Sequence, residues 1–432
     1  MMRAFRFVPI LGLLTWTAVS PTAAQQPRDQ PECAQGTATN MAINCPDQFA
    51  WQKFVEVMTP VRPGMVTFQS WSSDPDTFQC PPADLATCRT NPSAKGCPVW
   101  PSQPPGQPNL FTQRSGRQVL SGHRLDRSGG RKSAGAVDCW NIPNDWPELV
   151  YRNPATFQYI VDHGLWYVEG LEAAFERGFV FDFPIESIEV KTNWKPLTSA
   201  QIASGRFYTS TGNGQTLGLI AMHISSKDLP NWFWSTFEQV DNLGRCDFLG
   251  CHDSFGSIPA DIPSRPQELC QGYPAGELTP ALLQMMDAAR LDPAFRFYRL
   301  KGTMTDFTTP TGSTVLLGNS ITEAGFVQTA SCMTCHSRAT IQATSGPPLG
   351  LSPYPNIAGF TAAGQSYNGT PDPEWYYSTN RPIHRWSVQT DFVWAIPFKA
   401  NSLYATASCC QSLSSGANAA CQCQGAGICS TP

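Results

Sequence analysis

Charge is scarce in this chain: Asp, Glu, Lys and Arg make up 14% of its 432 residues, and the formal net charge is −4. So slight an imbalance gives no electrostatic case for nucleic acid as a partner. Long apolar runs are also missing. Beyond the first 24 residues no stretch approaches about 18 uninterrupted apolar positions, so no transmembrane helix is expected there. The chain has no P-loop, no dinucleotide fingerprint and no Ser-His-Asp array, which removes the commonest nucleotide-dependent and hydrolytic classes. Aromatics and cysteine, by contrast, are plentiful. The 13 Trp and 24 Phe argue for an ordered core rather than a solvated chain. The 38 Pro and 34 Gly imply many turns and speak against a long-helix bundle. Sixteen Cys belong to an oxidising compartment, to metal or cofactor ligation, or to both.

The N-terminus reads as an export signal. Arg3 and Arg6 precede a mostly apolar run, Phe7 to Val19, that Pro9 and Gly12 interrupt. Thr22-Ala23-Ala24 then supplies small residues where a signal peptidase cuts. The run is too short and broken to span about 30 Å of hydrocarbon comfortably. The expectation is a signal peptide over 1–24, a mature start at Gln25, and a bacterial periplasmic or secreted protein without a transmembrane segment.

The chemistry-bearing motif is Cys332-Met333-Thr334-Cys335-His336, a C-x-x-C-H sequence. Two thiols on one helical turn reach the two vinyl groups of one porphyrin, and the next residue carries its imidazole under the ring as proximal iron ligand. A redox dithiol and a zinc site are the competing readings of the two thiols. Neither has support nearby: the upstream Gln328-Thr329-Ala330 does not look like a thioredoxin strand, and no second ligand pair follows.

On these residues the chain resembles the haem-attachment segment of the cytochrome c family. The resemblance implies one covalent haem c, with Cys332 and Cys335 forming thioethers and His336 binding iron. It extends to Gly346-Pro347-Pro348-Leu349, like the Gly-Pro-x-Leu segment of small cytochromes c. By that likeness the Pro347 carbonyl would orient His336; a plain surface turn is the other reading. Val168 to Leu171, Asn231 to Trp234 and Gly318 to His336 also look like segments of an uncharacterised group of secreted bacterial proteins with one such motif. That likeness implies haem and export and carries no reaction.

The chain departs from the family in having no Met beyond Met333. A sixth iron ligand would have to be His384 or an upstream residue: His123, His163, His223, His252, Met41, Met58, Met65, Met222, Met285, Met286 or Met304. An open sixth position is the remaining option. Arg381 and Arg385, flanking His384, are candidates to cover haem propionates. Cys246, Cys251 and His252 form a C-x-x-x-x-C-H sequence that reads either as a second haem site or as a disulfide-pinned Gly-rich loop.

The expected fold is α+β: a loop-heavy, disulfide-rich region with a mixed sheet, plus a small, mostly helical cytochrome c-like haem segment. Residues 25–150 read as loop-rich with a helix at Phe49 to Val57, and the basic stretch 114–131 as a solvated loop or a dock for an acidic redox partner. Residues 151–310 read as an α+β domain. Within it, Pro154 to Arg177 has one helical stripe, Ser187 to Trp194 alternates as a half-buried strand, and Leu217 to Ile224 and Trp232 to Trp234 read as further strands. Residues 311–400 form the haem segment, with a short strand at Thr314 to Leu317, and 401–432 a Cys/Ser/Gly-rich tail. The function expected is single-electron transfer to an unidentified redox partner. A haem enzyme or gas sensor with an open sixth position is the rival, and a disulfide-rich binding protein the third class.

Overall fold

The computed structural model describes residues 33, 38–79, 81–82, 84–100, 139–140, 146–212, 214–342, 369–373, 376–377 and 381–400. The expected signal peptide, the basic stretch, Pro347 and the C-terminal tail lie outside these residues.

Period-two alternation builds the central element. Strands β1 (Ser72–Ser73), β2 (Glu148–Arg152), β3 (Ile188–Pro196), β4 (Thr209–Gly212), β5 (Gln215–Ser226), β6 (Phe233–Gln239) and β7 (Tyr298–Met304) form one antiparallel sheet. Their order is β7-β6-β5-β3-β2-β1, with β4 paired to the start of β5. Successive side chains leave a strand on opposite faces. Val190, Met222, Ile224 and Phe237 therefore project to one side, where they join Trp51, Phe54 and Met58 of helix α1 (Pro46–Met58) in the larger core. The expected helix at Phe49 to Val57 lies within α1, and Pro46 occupies its first turn, where no backbone donor is lost.

Glu189, Lys191 and Asn193 project to the other side, as expected for β3. That face is partly covered. A segment at 317–323 clamps over it through buried hydrogen bonds: Asn319 Nδ2 donates to Thr236 Oγ1 at 3.0 Å, Ser320 Oγ to Glu238 Oε2 at 2.6 Å and Thr322 Oγ1 to Asn193 Oδ1 at 2.7 Å. The half-buried strand is thus buried on both faces, because polar side chains from a distant segment satisfy its polar side.

The single helix expected from Pro154 to Arg177 is two, α2 (Pro154–Asp162) and α3 (Val168–Glu176). Gly164, at φ +69°, stops the first in a left-handed turn in which Gly164 and Leu165 N–H groups bond back to Val161 and Ile160 carbonyls. The expected boundary between 150 and 151 falls inside β2, whose five residues pair with β3, so the sheet draws on both sides of it. The segment 311–400 is not mostly helical where described. It carries two short helices, α4 (Cys332–Ser337) and α5 (Ala395–Lys399), and a two-stranded pairing of Thr340–Gln342 with Ser387–Gln389. Thr314 to Leu317 makes only isolated bridges, Thr308 with Thr314 and Leu317 with Ser331.

Among the described residues four disulfides join Cys33–Cys45, Cys88–Cys97, Cys139–Cys270 and Cys246–Cys251. No helix among the described residues is long and apolar enough to cross a membrane.

Candidate cofactor site

Helix α4 is one and a half turns long, and its placement comes from its surroundings. Ser331 caps its N-terminus, accepting from the Thr334 N–H. Met333 is fully buried, and its N–H donates to Met304 Sδ at 3.4 Å. Thr334 Oγ1 donates to the Gly369 carbonyl at 2.6 Å and Tyr376 Oη to that of Ser337 at 2.7 Å. With Met333 and Thr334 held inward, Cys332, Cys335 and His336 face one cleft of about 1120 Å³, its open mouth included.

One wall of that cleft is the polar face of the sheet: Glu148 and Val150 from β2, Glu189 and Lys191 from β3, His223 and Ser225 from β5, and Trp234 from β6. Leu317, Phe326, Ala330, Trp394 and Phe398 supply apolar surface. The His336 ring lies against Trp234 with centroids 4.5 Å apart. His336 Nδ1 is 2.8 Å from the Phe392 carbonyl oxygen. That contact places the ring proton on Nδ1 and leaves Nε2 as the nitrogen with a lone pair. Burial outweighs the Phe392 contact and pushes the imidazole pKa down to about 3, so the ring is neutral at any physiological pH.

Cys332 and Cys335 are free thiols, whereas the other eight cysteines among the described residues are bridged. Burial, with Glu323 nearby, raises both thiol pKa values, that of Cys335 to about 11. A redox dithiol needs a lowered thiol pKa, so this environment disfavours that reading. Two reduced thiols and one neutral imidazole facing one partly apolar cleft are groups that could hold a haem through two thioethers and one axial nitrogen. The lysines on the cleft wall, Lys191 and Lys399, are paired with Glu148 and Asp74.

The other sequence candidates separate sharply. His223 reaches the cleft. His384 is exposed and outside its lining, with Nδ1 3.4 Å from the Pro382 carbonyl. His163 is exposed and packs on Tyr159 and Phe179. His252 lies 2.7 Å from Asp261 and 3.3 Å from Asp47 and does not line the cleft. Met222 is buried in the core on the opposite face of the sheet. Cys246 and Cys251 are bonded to each other, which overturns the second-haem reading and leaves the disulfide-pinned loop. The Phe392 carbonyl stands in the orienting position at His336 Nδ1; Pro347, to which the resemblance gave that role, lies outside the described residues. Arg381 is exposed, and Arg385 stacks over Phe175; neither lines the cleft.

Sequence reasoning missed the buried charges. Glu148, Glu189, Lys191 and Glu323 resemble ordinary surface groups in sequence. Only the polar side of the β3 alternation, Glu189-x-Lys191-x-Asn193, signalled that something must face it. No family model, curated protein or solved structure matches this chain.

Proposed function

We propose that the chain is an exported c-type haem protein that transfers single electrons, with haem c bound to Cys332 and Cys335 and its iron to His336. One observation carries the reading: two free thiols and the neutral, Nδ1-anchored His336 line the same cleft. When bound, the haem supplies a one-electron iron couple. The chain's own residues do the rest. The Phe392 carbonyl orients the proximal ring and raises its basicity, Trp234 packs against that ring, and Lys191 and Lys399, paired with Glu148 and Asp74, would be the nearest lysines to haem carboxylates. The partner is a redox protein or a small oxidant or reductant.

The test is an ultraviolet-visible spectrum of the purified mature protein with a pyridine haemochrome assay. One covalent haem per chain is expected, and Cys332→Ser with Cys335→Ser should abolish it. A mature protein of bare polypeptide mass, or colour extracted by acid acetone, overturns the assignment. The polar wall of the cleft favours the second reading, a haem enzyme or sensor with an open sixth position, because it brings a second histidine, His223, to the lining.

A further inference from the structure

We infer that His252 and Asp253 work as a proton-operated clasp, which holds the segment 251–262 against helix α1 while both carry a proton and loosens it as pH rises. The inference stands apart from the haem reading, because neither residue lines the cleft.

The segment meets the first turn of α1. Asp47 Oδ2 accepts from the Ser254 N–H at 2.8 Å and from Ser254 Oγ at 2.7 Å, and Asp47 Oδ1 accepts from Thr303 Oγ1 of β7 at 3.2 Å. One turn along the helix, Trp51 Nε1 donates to Asp253 Oδ2 at 2.9 Å. The Gly256 N–H donates to Asp253 Oδ1 at 2.6 Å. The fit is close: a methyl group on Gly256 would collide with the Trp51 indole. The ladders that tie the segment are short. Cys251 and His252 pair with Ile262 and Asp261, and Ser257 and Ile258 with Leu278 and Glu277. A segment held by ladders this short opens at lower cost than the central sheet.

His252 lies between two carboxylates, with Nδ1 2.7 Å from Asp261 Oδ1 and Nε2 3.3 Å from Asp47 Oδ2. A neutral imidazole donates from one nitrogen and turns a lone pair toward the other carboxylate, so only the imidazolium suits both. Asp253 and Asp47 are both buried. Ionised together they are like charges out of reach of water, a cost that a proton on Asp253 removes. Facing the pair are Asp47 from α1, Asp261 from the paired strand and Arg299 from β7. Arg299 gives its N–H groups to the carbonyls of Ala275, Gly276, Arg296 and Tyr298 rather than to a carboxylate.

Raising the pH therefore removes a positive charge at His252 and adds a negative one at Asp253, beside Asp47 and Asp261. Burial and Asp47 raise the Asp253 pKa to about 7, with Arg299 too weak a counterweight. Burial lowers that of His252, but Asp47 and Asp261 outweigh it. Both protons go to water, and the contacts with α1 weaken as they leave.

Hydrogen exchange of the purified full chain provides the test, followed by mass spectrometry and corrected for the intrinsic effect of pH. Opening returns Asp253 from about 7 to its ordinary 3.8, so protection over Ser254 to Gly256 should fall about 100-fold between pH 5 and pH 8. At pH 8 it should lie well below that of the β3 and β5 amides, which open only with the whole fold. Asp253→Asn has no proton to lose there and keeps an oxygen for Trp51, so it should lose most of this pH dependence. Protection over 254–256 that is flat from pH 5 to pH 8, or equal to that of the sheet at pH 8, overturns the clasp. So does a folded Asp253→Asn chain that keeps the full fall. If that variant does not fold, the wild-type series alone decides, because segment and sheet are compared within one molecule.

Discussion

The Phe392 carbonyl oxygen that meets His336 Nδ1 at 2.8 Å is aimed by two consecutive left-handed residues, Asp391 at φ +48° and Phe392 at φ +67°. Neither is glycine, so the conformation costs energy and persists only where the surroundings enforce it. The enforcing contacts converge on Asp391. Its Oδ1 and Oδ2 are each 2.8 Å from Lys227 Nζ, and Oδ2 also accepts from the Phe183 N–H at 2.8 Å. An ion pair on the turn after β5 thus sets the orientation of the candidate haem ligand.

Asp391→Ala should therefore cost about 3 kcal/mol, near the low end for breaking a buried pair, because Lys227 keeps a second carboxylate, Asp182, at 3.2 Å. Denaturant unfolding gives the magnitude. Hydrogen exchange followed by mass spectrometry should show faster exchange at Phe183, whose acceptor is gone. Unchanged stability with unchanged exchange would remove Asp391 as the anchor of this turn.

A second prediction concerns pH. Asp253 is fully buried, and burial together with nearby Asp47 raises its pKa from 3.8 to about 7. His252, beside Asp47, also has a raised pKa: burial lowers it, but Asp47 and Asp261 outweigh that. Both groups bind protons more tightly in the folded protein. Their stabilisation is complete below the unfolded pKa values and is lost as pH rises through the folded ones. For Asp253 that window runs from 3.8 to about 7, and the shift corresponds to at most about 4 kcal/mol. The thermal midpoint should fall between pH 5 and pH 8. A midpoint that is flat or rises across that range contradicts the assignment.

Local patterns in the chain carried the strands and the attachment helix, because alternation, turn residues and capping act over a few positions. The alternation in β3 and the helix at Phe49 to Val57 are of this kind. Pairing over long separations was not legible. Nothing near Cys332 points to β5, yet Asn319 and Glu323 hold His223 across about a hundred residues. The same holds for Phe392, whose role follows from a backbone carbonyl and so leaves no mark on residue type.

The disulfides make a graded prediction. Cys139–Cys270 closes a separation of 131 residues and Cys246–Cys251 one of 5. Loop-closure entropy makes removal of the first pair cost about 5 kcal/mol and of the second about 2 kcal/mol. Paired Ser substitutions at 139/270 should lower the unfolding midpoint more than those at 246/251, and the latter should leave the haem count unchanged. A lost haem in the 246/251 variant would restore the second-haem reading.

The break between α2 and α3 gives the last prediction. Gly170 lies in the first turn of α3, and a methyl group built on it would sit 1.9 Å from the Gly164 carbonyl oxygen and 2.9 Å from the Tyr167 ring. The first obstacle is backbone, fixed by the left-handed turn that ends α2, so it cannot swing aside as a flexible side chain would. Helix propensity favours alanine over glycine by about 1 kcal/mol at such a site. The clash works in the opposite direction, and forcing extra volume into a close contact costs about 1–3 kcal/mol. Gly170→Ala should therefore destabilise the protein despite its better helical propensity. Ile160, Leu165, Leu171 and Ala174 from this helix pair share a buried cluster with Trp234 and Phe392. The strain should therefore also reach the wall on which His336 rests, and hydrogen exchange there should rise in the same variant. A stabilised Gly170→Ala variant would mean that the two helices do not approach this closely.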